Sequence, residues 1–339
     1  MSSALPGIKS DKPGKRRFSL SWDRMLVLML ALSLIFGHAL SPAFLSNDNL
    51  GNLLAGISEY ALMALGLTLL VVAAEIDLSV ASILGMASGL LGVLWQAGVP
   101  MPLTLLLVML MGIAAGAFNG LLVTRLRLPS LAVTIGTMAL FRGITYIMLG
   151  DQAVASFPQA YTEFAMNNWD GTFLPLTYVF LIIPLALAFI LLLHHSGFGR
   201  MVYAIGANHT AVEFSGINVA RSKFWLFVLS GAMSALAGIV YTLRFSSARA
   251  DNGMGFELSV VAAVLFGGVS IFGGRGSVTG VLLALLIMGV LNNALTLYDV
   301  SNEILTIVTG LLLLSSVLLP NLISRWKESR RKTAAAVIT

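Results

Sequence analysis

The chain has 339 residues, of which 58% are hydrophobic and 10% charged, and it contains no cysteine. A soluble domain carries about a quarter charged residues, so the composition excludes a soluble globular protein. The lack of cysteine excludes disulfides and thiolate metal sites. A net charge of +5 would suit a nucleic-acid partner, but the placement of that charge indicates a membrane topology instead.

Apolar runs of about 20 residues, the length that a transmembrane helix needs, recur along nearly the whole chain. The strands of a membrane barrel would be shorter and would alternate in polarity. The sequence therefore predicts an all-α polytopic membrane protein of about ten transmembrane helices. The predicted spans cover roughly residues 25–44, 52–72, 79–97, 103–123, 131–149, 174–193, 222–243, 257–272, 277–297 and 303–322.

The Lys and Arg residues predict the orientation. With the N-terminus in the cytoplasm, seventeen of the twenty lie in cytoplasmic segments, as the positive-inside rule requires. Residues 1–24 are predicted to form a flexible basic cytoplasmic tail before an uncleaved first span, 25–322 the transmembrane domain, and 323–339 a second basic cytoplasmic tail. Both termini are thus expected in the cytoplasm, where the tails would contact anionic lipid.

Two short matches indicate an internal repeat. Asp77-Leu78-Ser79-Val80 opens the third span and Glu257-Leu258-Ser259-Val260 opens the eighth, while Gly116-Ala117-Phe118-Asn119 in the fourth resembles Gly289-Val290-Leu291-Asn292 in the ninth. With one gap, equivalent spans lie five apart, and an odd number reverses their orientation. This pattern predicts two inverted five-helix repeats, the plan of many transporters, with a substrate route at their interface.

Five polar residues lie within predicted spans, where burial in lipid is costly. One interpretation is that they line a watery substrate path. The other is that they join helices by hydrogen bonds, and that the acid and the base pair with each other. The sequence leaves both interpretations open. The candidates for the translocation path are Glu59, Asn119, Arg142, Asn292 and Asn293.

The sequence shows no catalytic constellation. It has no Walker lysine motif, no H-E-x-x-H and no nucleophile elbow, so neither ATP hydrolysis, a metal nor a cofactor is predicted. Glu75 and Asp77 precede a predicted helix start at the cytoplasmic side and are interpreted as structural. The pair His194–His195 is interpreted as an interfacial helix end, and the glycines of 272–276 as a tight turn.

The polar stretch 206–223 stands between two apolar spans on the predicted cytoplasmic side. Residues 209–215 can form a short helix, with Asn208 as its N-cap and Gly216 as its C-terminal stop. Such a helix is too short to be stable alone. Its larger apolar residues, Val212 and Phe214, stand two positions apart and make no continuous face for a membrane surface, which favours docking to a partner protein.

Four segments resemble the monosaccharide-uptake permeases of bacterial ATP-binding-cassette importers, over about residues 45–322. They are EIDLSVASILG at 75–85, NGLLVTRLRLPSLAVTIGTMALFRG at 119–143, GRMVYAIGANHTAVEFSGINVARSK at 199–223, and the run from SSARADNG to NNALTL at 246–297. The family commonly has glycines where this chain has Ala74, Glu75 and Ala81. The resemblance implies that loop 199–223 carries a coupling helix that inserts into the ATPase subunit, through Gly206, Ala207, Asn208, Glu213, Ser215, Gly216 and Asn218.

The resemblance also implies a role and partners. The chain would be the permease subunit of an importer in the bacterial cytoplasmic (inner) membrane, with a second permease of the same or a paralogous sequence. An extracytoplasmic protein would deliver the monosaccharide, and ATPase subunits would hydrolyse ATP. The stretch 267–274 is most similar to the rhamnose and autoinducer-2 branch, so rhamnose is the expected substrate, with autoinducer-2 or a pentose as alternatives. An ion-coupled secondary transporter and an intramembrane enzyme are less favoured hypotheses from other classes.

Overall fold

The computed structural model describes residues 22–301, 303–305, 307, 310, 311 and 314. Helices make up most of this part, with one small antiparallel pair of strands, β1 (Val154–Ala155) and β2 (Ser247–Ala248). A 3₁₀ turn covers Pro42–Leu45, and a π-helical turn, Tyr178–Ile182, leads into α7. The helices are α1 Trp22–Leu40, α2 Asn47–Val72, α3 Val80–Gln96, α4 Met101–Arg125, α5 Ser130–Leu149, α6 Gln159–Met166, α7 Ile183–His194, α8 Gly197–Ala207, α9 His209–Phe214, α10 Val219–Phe245, α11 Phe256–Phe266 and α12 Val278–Leu297.

The helices confirm the predicted class of polytopic helical membrane protein. Within the described residues, α1, α2, α4, α5, α10 and α12 are long and apolar enough to cross a membrane. The π turn with α7 passes together with α8, from which it is bent by 64°, and this pair makes a seventh candidate if it is one span. Helices α3 and α11 coincide with predicted spans but have only 17 and 11 residues, and the predicted tenth span lies mostly outside the described residues. The count of ten is therefore not confirmed.

Helices α2 and α10 form the centre of the bundle. In their apolar windows 83% and 78% of residues are buried, against 17% in α1. Helix α10 packs along α4 through small residues: a Cβ on Gly112 would lie 2.7 Å from the carbonyl oxygen of Gly231. Lipid tails are as apolar as leucine, so such close packing, rather than a hydrophobic force, joins membrane helices.

Both short helices begin inside the bundle after a non-helical segment. Helix α3 follows segment 73–79, and α11 follows segment 246–255. The motif Asp77–Val80 ends at the first residue of α3, and Glu257–Val260 lies in the first turns of α11. Irregular backbone at membrane depth is tolerated where protein covers it. The matching positions support the predicted inverted repeat, whose extent over the whole chain stays a prediction.

Hydrogen bonds between the segments that connect the helices place these segments at two opposite ends of the bundle. At one end, Gly274 N donates to Val72 O (2.8 Å) and Val278 N to His194 Nε2 (3.3 Å). At the other end, Trp95 Nε1 donates to Ser156 O (3.2 Å), and β1 pairs with β2. The first end carries the basic loops and is named the cytoplasmic end, following the predicted orientation. The second is the outer end.

Candidate functional site

A cavity of about 270 Å³ lies between α2, α11 and α12 in the outer half of the bundle. It begins near the second turn of α2 and reaches the last turn of α12. Among the residues that the structure describes, its wall has no charged side chain: six neutral polar residues face six apolar residues or glycines. The polar members are Asn52, Tyr60, Ser259, Asn292, Asn293 and Thr296, and the others are Leu53, Gly56, Ile57, Leu285, Met288 and Gly289.

Two glycines shape this cavity. A Cβ on Gly289 of α12 would lie 2.6 Å from Ile57 Cγ2 of α2, so glycine permits the close approach of the two helices. A Cβ on Gly56 would meet nothing within 4 Å, so this position leaves open space. The helices therefore touch at one level and separate at another, which leaves room for a small ligand.

The two adjacent asparagines of α12 differ in their surroundings. Asn293 exchanges two amide hydrogen bonds with Asn49 of α2, at 2.8 and 3.0 Å. The side chain of Asn292 has no hydrogen-bond partner among the described residues and stays half-buried at the cavity wall. Asn293 thus joins helices, whereas Asn292 offers a donor and an acceptor to a ligand.

Glu59 pairs with Arg244, and not with Arg142 as the sequence alone allowed. Its two carboxylate oxygens accept from Arg244 Nε at 2.9 Å and Nη2 at 3.2 Å. Glu59 is fully buried, and the guanidinium of Arg244 also lies 4.2 Å from the centre of the Phe245 ring. Both charges therefore have partners within the bundle, and Glu59 is absent from the cavity wall.

Arg142 joins segment 246–255 to the first turn of α3. Its Nη1 donates to the carbonyl oxygens of Ala250 (2.9 Å) and Asn252 (2.7 Å), and its Nη2 to that of Ala81 (3.3 Å). Gly85 makes room, since a Cβ there would lie 2.5 Å from Nη1. Carbonyls at broken helices are the groups that hold Na⁺ in ion-coupled transporters. Here a tethered guanidinium occupies them.

Asn119 belongs to a buried polar network at the start of α3. Its Nδ2 donates to Ser79 Oγ (2.8 Å), and Ser79 donates from both N and Oγ to Asp77 Oδ1, at 2.9 and 2.6 Å. Ser230 of α10 donates to Asp77 Oδ2 (3.1 Å). Asp77 is fully buried. The network joins α3, α4 and α10, and its members do not line the cavity.

The short helix predicted after Asn208 is present as α9, which ends at Phe214, one residue before the predicted end. Its coupling role stays a prediction. Asn208 Oδ1 accepts from Ala211 N (3.0 Å) as its N-cap, and Gly216 has φ +83°, which favours glycine. Val212 is buried, while Glu213 and Ser215 are exposed. Outside α9, Asn218 Oδ1 caps α10 by accepting from Arg221 N (2.8 Å), and Ala207 ends α8.

Helix α8 meets two other chain segments at a glycine junction, formed by Gly206, Gly273 and Gly274 with Val72 and Ala74. A Cβ on Gly206 would collide with the carbonyl oxygen of Val72 and the amide of Gly274. Gly274 N donates to Val72 O at 2.8 Å. The junction therefore connects α8 with the end of α2 and with loop 267–277, which leads into α12. Helices α2 and α12 also line the cavity, at their outer halves.

Two further features lie beside the junction. Lys223 Nζ of α10 donates to Glu75 Oε1, which ties segment 73–79 to the start of α10. Ala74 has φ +62°, a left-handed conformation that costs an L-residue about 1–2 kcal/mol. This strain gives a physical reason for the glycine that the resembling permeases commonly have there.

Sequence reasoning missed three features of this site. The glycine junction needs residues 72, 206 and 274 to meet, and only the fold brings them together. The predicted span 222–243 ends one residue before Arg244, so the sequence places Arg244 outside the membrane, whereas the structure has it within α10. Phe214 was noted only as a poor membrane contact, yet it is 89% exposed.

Comparison with known proteins gives the family. The model of the family described as branched-chain amino acid transport system, permease component, matches residues 49–317. The ribose import permease of Escherichia coli strain K12 is 37% identical over 319 residues, covering 91% of this chain and 97% of the relative. No solved structure gives a significant match.

Two further relatives extend the range of named substrates. The ribose import permease of Haemophilus influenzae is 34% identical over 307 residues, covering 90% of this chain and 94% of the relative. The autoinducer 2 import system permease of Escherichia coli strain SMS-3-5 is also 34% identical over 307 residues, covering 88% and 91%. The matched lengths are nearly full on both sides.

Proposed function

Since this chain belongs to the family of permease components of branched-chain amino acid transport systems, we propose that it forms the membrane path of an ATP-driven importer for a neutral monosaccharide. The observation that carries this proposal is the cavity between α2, α11 and α12. Its hydrogen-bonding groups are amides, hydroxyls and a phenol, with no charge. Amides both donate and accept, as the hydroxyls of a sugar do. The charged groups of an amino acid would have no counter-charge there.

The size of the cavity agrees with a single sugar ring. At about 270 Å³ it lies just below the roughly 300–1,000 Å³ of ordinary small-molecule pockets. The relatives named above import ribose or autoinducer 2. Rhamnose is the sugar that the sequence of 267–274 favours. Competition of labelled rhamnose uptake by unlabelled ribose and autoinducer 2 ranks the three candidates.

The partners follow from the two ends of the bundle. An extracytoplasmic binding protein would deliver the sugar at the outer end, where the cavity lies. ATPase subunits would dock at the cytoplasmic end on α9, which presents Glu213 and Phe214 to solvent. A second permease, of the same or a paralogous sequence, would complete the importer in the inner membrane. ATP-driven closure of the ATPase pair would then switch access to the cavity between the two sides.

The buried charges argue against the ion-coupled hypothesis. Such a transporter needs ionisable groups or carbonyls free to bind protons or Na⁺ near the midplane. Glu59 is held by Arg244 through two hydrogen bonds, and two carbonyls of segment 246–255, before α11, accept from Arg142. In our proposal, ATP hydrolysis by a partner subunit therefore supplies the driving force.

The test is the variant Asn292→Leu, assayed for ATP-dependent uptake in proteoliposomes with the ATPase subunits. Losing about one hydrogen bond to the sugar, worth about 1 kcal/mol, and adding an apolar side chain should raise KM roughly tenfold or more. The complex should assemble normally. Leu297→Ala, at an exposed position of the same helix, is the matched control. An unchanged KM in Asn292→Leu would remove the cavity from the transport path.

A further inference from the structure

We propose that the ATPase subunit binds this permease at two places. One is the coupling helix α9, through Phe214, and the other is the loop 267–277, through Phe272. The two phenylalanines are named the two prongs, Phe214 being the first and Phe272 the second. This inference rests on the proposed function, and it adds a second contact that the coupling helix alone does not provide. Phe272 lies outside the residues that the family resemblance assigns to coupling.

Both phenylalanines are largely exposed at the cytoplasmic end of the bundle, where loops rather than membrane-spanning helices carry them. Phe214 is 89% exposed and Phe272 is 79% exposed. Each follows a residue that is itself exposed, Glu213 and Ile271. Exposed aromatic side chains are frequent anchors of protein interfaces, since they fill pockets on the partner.

The glycine junction holds the two prongs side by side. A Cβ on Gly273, next to Phe272, would lie 2.9 Å from Gly206 Cα, and one on Gly274 would lie 3.0 Å from Ala207 Cα. Tyr203 Oη of α8 also donates to Gly276 O at 2.7 Å. Loop 267–277 and helix α8 are therefore fixed to each other by contacts at Gly273, Gly274 and Gly276, directly after Phe272.

The spacing of the prongs fits one partner surface. From the junction contact and the chain geometry, the Cα of Phe272 lies within about 8 Å of Gly206 Cα. Two connecting residues and the short α9 place Phe214 no more than about 20 Å from the same point. The prongs are thus at most about 28 Å apart, whereas a standard interface buries about 800 Å² on each partner, a patch roughly 30 Å across.

The charge around the prongs defines the partner. Arg200 on α8, Arg221 at the start of α10 and Arg275 in the loop are exposed. Among the residues that the structure describes, none of the three has a carboxylate within 4 Å. The complementary surface is therefore a soluble protein with two apolar sockets rimmed by carboxylates. We assign it to the ATPase subunit.

The second prong gives the partner direct access to a cavity wall. Loop 267–277 leads into α12, where Ser277 Oγ accepts from Gly280 N (3.0 Å) as its N-cap. Fifteen residues further along the same helix, Asn292 faces the cavity. A displacement of Phe272 is thus carried along one continuous helix to the ligand side chains, in addition to the route through α9 and the junction.

The experiment measures the affinity of the purified ATPase subunit for the full-length permease in nanodiscs. We expect both Phe272→Ala and Phe214→Ala to weaken binding at least tenfold, while Ile147→Ala on α5, 86% exposed, leaves it unchanged. Weakening by Phe214→Ala alone would overturn the second prong and leave the proposed function intact. A wild-type permease that binds no ATPase at all would instead overturn the proposed function.

A second measurement separates the ATPase from lipid as the cover of Phe272. The chain has no cysteine, so Phe272→Cys can be labelled with an environment-sensitive dye without background. We expect no quenching by brominated lipid, and a blue shift of the emission when the ATPase subunit is added. Strong quenching by the lipid, with no response to the ATPase, would show that Phe272 inserts into the bilayer and would overturn the proposal.

Discussion

The pair Glu59–Arg244 can be tested by a double-mutant cycle. The variants are Glu59→Gln, Arg244→Gln and the combination of both. Each single change leaves one buried charge without its partner, which costs about 3–5 kcal/mol. Glu59 is fully buried and the Arg244 side chain is 18% exposed, so solvent relieves part of the cost for Glu59→Gln, which leaves the arginine. Arg244→Gln should therefore be the more harmful single change.

The double variant should recover most of the loss, because no unpaired charge remains. We expect a coupling energy of about 2–3 kcal/mol between the two positions. The double variant still lacks the contact of Arg244 with the Phe245 ring, worth about 0.5–2 kcal/mol, but this loss cancels in the coupling energy because Arg244→Gln alone has it too. The assay is the free energy of unfolding, obtained by denaturant titration in mixed micelles. The exposed pair Arg249–Asp251, with side chains 56% and 48% exposed, is the matched control, and Arg249→Gln should have no measurable effect.

The transport of these variants decides what the pair does. If the pair is structural, the double variant transports sugar with the normal ratio of uptake to ATP hydrolysis. The contrary result is a stable Glu59→Gln variant that hydrolyses ATP fully and transports nothing. That result would mean that Glu59 carries a proton or another ion, and it would return the ion-coupled hypothesis to consideration.

Two other positions give independent predictions. Gly206→Ala should lower the sugar transported per ATP hydrolysed, because the added Cβ collides with Val72 O at the glycine junction. Gly197→Ala in the same helix, where a Cβ would meet only the end of Arg200 at 3.7 Å, should keep the wild-type ratio. Equal ratios in both variants would contradict a role of the junction in transmitting motion. Arg142→Ala should abolish uptake, and free guanidinium should restore part of it by refilling the carbonyl site. Lack of rescue in a correctly folded variant would argue that Arg142 does more than join segment 246–255 to α3.

Some of this architecture could be predicted from local signals. The short helix α9 needs only Asn208 as a cap, a run of helix-compatible residues and Gly216 as a stop, and all of these lie within nine positions. Span positions follow from apolar length. The same locality explains the correct placement of the Asp77–Val80 and Glu257–Val260 motifs at helix starts, since each motif describes its own turn.

Other features depend on distances that the sequence does not contain. Asn292 and Asn293 differ by about 100° around a helix, and only the position of Asn49 decides that one joins helices while the other faces the cavity. The partner of Glu59 lies 185 positions away. Arg142 donates to backbone carbonyl oxygens, and residue types do not show which carbonyls will lie near it. In each case the sequence indicated a polar group inside the membrane, and packing chose its partner.

The central claim is that this chain carries sugar while a partner hydrolyses ATP. The most direct measurement purifies the tagged chain gently in detergent, identifies the co-purifying proteins by mass spectrometry, and reconstitutes the complex for uptake of labelled ribose and rhamnose. The account predicts an ATP-binding-cassette subunit in the complex and uptake that requires ATP. Sugar uptake by the permease alone, driven by an ion gradient and indifferent to ATP, would contradict it.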